Sequence, residues 1–292
     1  MTEHSHTPQD FNRVFAIGVT LNVIYVIAQV VFGIRAHSLA LIADAGHNLG
    51  DVLGLVLAWG ASYLATLPGT PQRTYGWRRT SIMAALCNAV FLLVAVGAIT
   101  WEALRRLDRA DALDPAIVVW VAAVGVILNG VTAWLFMSGR KADLNIRGAF
   151  LHMSADAAIS AGVVLAGLAI RFTGWVWLDP ITSILINLII VIGTWRLLRE
   201  SFNLMTDAVP ESVDLVAVRH YLSQLPDVTA VHDLHIWATS TTEIALTAHL
   251  VMPARTAGDL FLREVCDCLH HDFGIEHSTI QIEQNAATCA LA

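Results

Sequence analysis

Charge is scarce in this sequence. Of its 292 residues only 14% are Asp, Glu, Lys or Arg, while 56% are hydrophobic and the mean hydropathy is +0.61. A soluble domain carries roughly 25% charged residues, so an ordinary soluble enzyme, a disordered chain and a nucleic-acid binder are all excluded. Cysteine is scarce too: Cys87, Cys266, Cys268 and Cys289 are the full set. Cys266 and Cys268 stand too close for an easy disulfide, so there is no disulfide framework, which fits a reducing, cytosolic setting for that part of the chain. Cys87 lies in an apolar run and reads as a small buried hydrophobe. There is no Walker A motif, which argues against ATP drive, and no His-Glu-x-x-His pattern, internal repeat or low-complexity tract. The first apolar segment follows only Arg13 and joins a body of further such segments, so it does not read as a cleaved signal peptide.

The charge that is present is unevenly spread. Residues 1–207 hold 14 Lys plus Arg against 13 Asp plus Glu, and residues 208–292 hold 3 against 11. The acidic excess therefore sits in the last 85 residues. The chain reads as a polar N-terminal tail (1–13), an apolar body (14–207) and a small acidic domain (208–292).

Crossing a bilayer takes about 20 mostly apolar residues. Six stretches qualify, near 14–34, 40–66, 80–104, 115–137, 146–170 and 177–198. With the N-terminus in the cytosol, that side holds nine basic residues near span ends: Arg13, Arg73, Arg78, Arg79, Arg140, Lys141, Arg147, Arg196 and Arg199. The other side holds five: Arg35, Arg105, Arg106, Arg109 and Arg171. The bias places both termini in the cytosol. The tail has a different texture, with helical spacing over 213–224 and 257–272 and strand-like alternation over 228–238, 243–251 and 278–284. The expected fold is an all-α six-helix transmembrane bundle followed by a small α+β domain of order α-β-β-α-β.

Ionisable groups inside a span are expensive and call for a reason. The second span contains Asp44, His47 and Asp51, and the fifth contains His152 and Asp156. Both spans carry His-x-x-x-Asp, which puts imidazole and carboxylate on one helix face about 6 Å apart along the axis. Two such faces brought together offer four N/O ligands, the number that a tetrahedral zinc takes. One such pair alone could be an internal hydrogen bond; the same spacing on two spans argues for a shared metal site. Asn22, Asn88, Asn129 and Asn187 read as interhelical hydrogen bonds. Asp44, one turn before His47, belongs to an access path or proton route, or caps the helix start; the access path is the preferred reading.

Two aspartates with Zn²⁺ sum to zero charge, as do two aspartates with two imidazolium ions. Ligands shed protons to bind metal and histidine titrates near neutral pH, so this chemistry suggests exchange of metal for protons. Two other uses of such a site stay open. One is an intramembrane zinc metalloenzyme, although no extra carboxylate stands ready as its general base. The other is a membrane metal sensor that does not transport.

Seven of the twelve histidines fall in the tail: His220, His232, His235, His249, His270, His271 and His277. Their concentration in an acidic domain favours divalent-cation binding as a group. His232, His249 and Glu283 lie on the three predicted strands or at their starts. Cys266, Cys268, Cys289 and the pair His270-His271 could add ligands, as could His4 and His6 at the N-terminus. Trp237 reads as sheet packing.

Several segments together resemble the cation diffusion facilitators, and within them the zinc-transporting branch. They are Ser38-Leu-Ala-Leu-Ile-Ala-Asp-Ala-Gly-His-Asn-Leu-Gly-Asp51, Tyr75-Gly-Trp-Arg-Arg79, Asn145-Ile-Arg-Gly-Ala-Phe-Leu-His-Met-Ser-Ala-Asp156, Val231-His-Asp-Leu-His-Ile-Trp237 and Ser278-Thr-Ile-Gln-Ile-Glu283. The resemblance implies a homodimer with a cytosolic, ferredoxin-like tail domain, set in a bacterial inner membrane. It implies proton-coupled efflux of Zn²⁺, with Cd²⁺ or Co²⁺ also accepted, by alternating access. The transport site carries over onto His47, Asp51, His152 and Asp156. Histidine in the second span looks like the zinc-preferring type, and imidazole suits zinc better than manganese. The family's tail ligands map onto His232, His249 and Glu283, with Gln281 where some members have a histidine. No prosthetic group is implied; Zn²⁺ enters as substrate and as regulator of the tail. The loop 69–79 lacks the Asp and His that some members use for a further site, and the long His-rich loop of some members is absent between spans four and five.

Overall fold

The computed structural model describes residues 11–107, 113–137, 144–253 and 258–285, with the side chains of 11–19 and 144–149 and a few others left aside. His4, His6 and Cys289 lie outside the described residues. Six long helices come first: α1 (Phe11–Ala36), α2 (Leu39–Ala65), α3 (Thr80–Arg106), α4 (Pro115–Phe136), α5 (Leu144–Thr173) and α6 (Leu178–Met205). Five of them, α2 to α6, are long and apolar enough to cross a membrane, and the described part of α1 adds the apolar stretch Thr20–Ala36. This is a multi-pass membrane architecture, and the helices fall on the spans read from the sequence.

The chain forms two compact units. One comprises residues 1–55 and 88–195, the other residues 56–87 and 196–292. In the first, α4 and α5 pack together along their length and α1 packs on α4. Its core includes Leu41, Val96, Val118, Ala122, Val163, Ile186 and Ile190. Helix α4 starts where Asp114 accepts hydrogen bonds from the amides of Ala116 and Ile117, with Pro115 at its first position. Helix α2 is capped from elsewhere in the chain. Asp179, in the first turn of α6, accepts from the Leu39 and Ala40 amides and from Ser38 Oγ, filling the donors that a helix start leaves unpaired.

The tail in the second unit runs α7 (Leu215–Ser223), β1 (Ala230–Ala238), β2 (Ile244–Val251), α8 (Asp259–Phe273) and β3 (His277–Glu283). That is the α-β-β-α-β order expected. The sheet has three strands in the order β1-β2-β3, the first pair antiparallel and the second parallel. One face buries Leu234, Ile236, Leu246, Ala248 and Leu250 against Val218 and Leu222 of α7 and Phe261, Val265 and Leu269 of α8. Strand alternation sends the intervening residues to the opposite face. In this register His232 is opposite His249, His249 beside Gln281, and Val251 beside Glu283.

Apolar sequence did not mean interior position for Cys87. It is exposed on the surface of α3 rather than buried, because a spanning helix keeps apolar residues on its lipid side as well as towards its neighbours.

Candidate metal centre

Helices α2 and α5 bring His47, Asp51, His152 and Asp156 together within the first unit. The contacts cross between the helices. His47 Nε2 is 2.9 Å from Asp156 Oδ1, and His152 Nε2 is 3.6 Å from Asp51 Oδ2. Within each motif the separations are wider, 3.9 Å for His47–Asp51 and 3.7 Å for His152–Asp156. A tetrahedral ion held at about 2.1 Å has donor atoms about 3.4 Å from one another. His47, Asp51 and Asp156 already hold one donor atom each within 4.8 Å of one another. His152 stands outside that set, its ring centroid 6.3 Å from that of His47, so it has to swing towards His47 before four donors close around one cation. Asp156 is the deepest of the four, its side chain 3% exposed, and His152 the most open, at 46%. A cavity of about 320 Å³ is lined by Asp51, His152 and Asp156, with Asn22, Asn48, Asn88 and Asn129 among its other walls.

Asp44 neither lines that cavity nor caps its helix, which begins five residues earlier at Leu39. It is buried and accepts hydrogen bonds from Gln29 Nε2 (2.6 Å) and Ser160 Oγ (3.2 Å). Gln29 also donates to Tyr25 Oη and accepts from Asn48 Nδ2. Asp44 thus centres a polar network that ties α1, α2 and α5 together behind the quartet. In this structure α2 turns this carboxylate towards Gln29 of α1 and Ser160 of α5, away from the cavity lining. Gln29, Tyr25 and Ser160 are residues that sequence reasoning missed; a buried glutamine in an apolar span was the available signal.

The span asparagines divide. Asn187 Nδ2 donates to Thr100 Oγ1 at 2.9 Å, linking α6 to α3 as expected. Asn22, Asn88 and Asn129 instead line the cavity.

The tail holds a second convergence. His232 Nε2 is 3.0 Å from Glu283 Oε2, and His249 Nδ1 is 3.0 Å from Glu283 Oε1, off the line that a hydrogen bond requires. The two imidazole rings meet edge-on with centroids 5.1 Å apart. This follows from the register: His232 and His249 are cross-strand partners, and Glu283 lies one pleat beyond the neighbour of His249. Asp233, which sequence reasoning passed over, joins the group: Oδ2 is 3.4 Å from His249 Nε2 and Oδ1 is 2.8 Å from His235 Nε2. It sits in the irregularity of β1 between His232 and His235 with φ +49°, a conformation that aspartate tolerates. The hydrogen bond from His235 holds its carboxyl below the usual range. Two imidazoles and a carboxylate are a donor set that zinc accepts. Cys266 and Cys268 diverge, the first contacting Ser278 Oγ and the second Asp272, because residues two apart leave a helix on opposite sides. Among the described residues, only the quartet helices and this sheet face gather three or more donors of the metal-ligating kind.

Known proteins place the sequence in a family. The cation efflux transmembrane domain matches residues 15–206, and the cation efflux protein cytoplasmic domain matches residues 210–285. This chain belongs to the cation efflux family. It is 37% identical to the metal cation efflux system protein CzcD of Cupriavidus metallidurans over 96% of this chain and 89% of that protein. It is 35% identical to the zinc transporter ZitB of Escherichia coli over 96% of this chain and 90% of that one. A third relative, the cadmium, cobalt and zinc/H(+)-K(+) antiporter of Bacillus subtilis, is 31% identical over 97% and 92%. Cation efflux proteins are transporters and not enzymes, so the metalloenzyme alternative is set aside.

Proposed function

We propose that this protein exports Zn²⁺ from the cytosol in exchange for protons, also accepts Cd²⁺ and Co²⁺, and works by alternating access. The observation that carries the reading is the crossed quartet: two imidazoles and two carboxylates that converge from facing helices, three of them already within reach of one ion. Its charge arithmetic gives the coupling. With the ion bound, two carboxylates balance Zn²⁺; after release, two protons on the imidazoles restore the balance, and the crossed His–Asp contacts are the pairs those protons would join. Either loading keeps the site near neutral in a low-dielectric bundle, whereas an empty, unprotonated site would carry two uncompensated charges. Nitrogen donors favour zinc over manganese.

In this reading both termini face the cytosol across a bacterial inner membrane, as the excess of basic residues on that side supports. The tail is a ferredoxin-like sensing domain. His232, His249 and Glu283 would hold a regulatory Zn²⁺, and neutralising the acidic domain would bring two protomers together by relieving repulsion. The family match to a cytoplasmic domain supports the placement.

The test is uptake of Zn²⁺, Cd²⁺, Co²⁺ and Mn²⁺ into inverted vesicles by the parent and by Asp51→Ala. Zn²⁺ uptake that follows an imposed pH gradient and is lost in the variant is expected. Uptake indifferent to the gradient would remove the proton coupling, and no flux from a zinc-binding protein would leave the sensor reading instead. Scattering that shows no zinc-dependent association of the tail would remove the regulatory role.

A further inference from the structure

The cavity beside the quartet has a second set of polar walls. Asn22 of α1, Asn88 of α3 and Asn129 of α4 reach it from three helices that supply no member of the quartet. Asn88 is 7% exposed and Asn129 5%. Among the described residues, neither Asn88 Oδ1 nor Asn129 Nδ2 has a hydrogen-bond partner. Buried polar atoms in native structures are paired, with water where protein is lacking. The volume of about 320 Å³ admits several waters at about 30 Å³ each. The occupant these walls ask for is therefore small and polar.

The backbone is shaped to keep them there. Gly50 and Gly54 stand one turn apart on α2, facing α3. A Cβ at residue 50 would collide with the Leu92 side chain, and one at residue 54 would come 3.2 Å from Asn88 Nδ2. The glycines let α3 approach closely and bring the Asn88 carboxamide to the same cavity wall as Asp51.

We propose that Asn88 and Asn129 form a neutral second subsite for the cation substrate, where a divalent ion rests with part of its water shell before the quartet takes it bare. The carboxamides hold the retained waters. A neutral subsite suits this step, because carboxamides add no charge to a quartet that is balanced by one ion or two protons. The inference rests on the efflux reading and deepens it.

Zinc uptake by full-length variants in inverted vesicles tests it. Asn88→Leu and Asn129→Leu each lose about one net hydrogen bond to the hydrated ion, so the half-saturating Zn²⁺ concentration is expected to rise about five-fold with the maximal rate kept. The isosteric Asn88→Asp puts a negative charge in the same place, so half-saturation and maximal rate are both expected to fall as the ion is held. If Asn88→Asp behaves like Asn88→Leu, the residue is packing; if all three keep the parental half-saturation, the cavity holds only water; either result overturns the subsite. If the parent itself moves no cation, the efflux reading fails alone. Calorimetric Zn²⁺ binding to the purified chain carrying His232→Ala and His249→Ala then decides. Tightening by Asn88→Asp and weakening by Asn88→Leu would support the subsite, and an unchanged dissociation constant would overturn it.

Discussion

His47 Nε2 lies closer to Asp156 of the facing helix, at 2.9 Å, than to Asp51 of its own helix, at 3.9 Å. The two motifs are therefore interlocked, and their members are not equivalent. Asp156 is almost fully buried and has the His47 imidazole 2.9 Å away, whereas Asp51 is partly open. Removing His47 strands a buried carboxylate. His47→Ala is expected to lower the stability of the metal-free protein by about 1–3 kcal/mol, and His152→Ala by less. Thermal melts of both variants in detergent with chelator check this ordering; equal losses would mean that the burial of Asp156 adds nothing to its crossed contact.

Asp179 of α6 accepts hydrogen bonds from the amides that open α2, so the start of the helix carrying His47 and Asp51 is held by a residue 140 positions away. Asp179→Ala is expected to cost about 0.5–2 kcal/mol, the usual worth of an N-cap, with faster hydrogen exchange over Leu39–Leu41. Exchange at the parental rate would show that Ser38 caps the helix unaided.

These two relationships mark where sequence reading stops. Six apolar runs declare the spans by length alone, and a repeated His-x-x-x-Asp declares one helix face on each of two spans. Period and spacing are local, and they were legible. Whether His47 meets Asp51 or Asp156 depends on the rotation of α2 against α5, which packing decides. Asp179 looks like any acid at a helix start until its partner appears. Asp44 sits on the same span as His47 and Asp51, yet α2 turns it towards Gln29. Asn88 and Asn129 resemble Asn187, and only the cavity separates them. In the tail, alternation gave the strands, but the irregularity that swings Asp233 towards His249 has no signature in a period-two pattern.

The Asp44 network gives a prediction opposite in kind to one for a ligand. Asp44→Leu leaves Gln29 and Ser160 short of a buried acceptor, and a loss of about 1–3 kcal/mol is expected. Asp44→Asn keeps an oxygen for both donors and is expected to recover most of that. Melting temperatures compare them directly. If the two variants melt alike, the network does not depend on an acceptor at this position.

Asp233 sets a pH dependence in the tail. The hydrogen bond from His235 holds its carboxyl below the ordinary range. A depressed carboxyl stabilises the fold above its unfolded-state value and loses that contribution as pH falls through the folded-state value. The difference in β1 protection between parent and Asp233→Asn is therefore expected at neutral pH and vanishes in acid. The group is solvent-facing, so the effect is small. Hydrogen exchange of the full-length protein across pH measures it, and a difference that grew in acid would reverse the sign argued here.

Glu283 and the cysteines make the last contrast. Glu283 offers one carboxylate oxygen to each of His232 and His249, so Glu283→Gln removes a negative charge that touches both rings. Zn²⁺ binding to the tail is expected to weaken by at least about tenfold, on the scale of charge-assisted contacts. Cys268 Sγ donates to Asp272 of its own helix. Cys266 points elsewhere, towards Ser278. The double variant Cys266→Ser, Cys268→Ser is therefore expected to bind zinc in the tail as the parent does. Calorimetry in a background with Asp51→Ala, which silences the quartet, compares the two; weaker binding in the serine variant would move the tail site from the sheet face to α8.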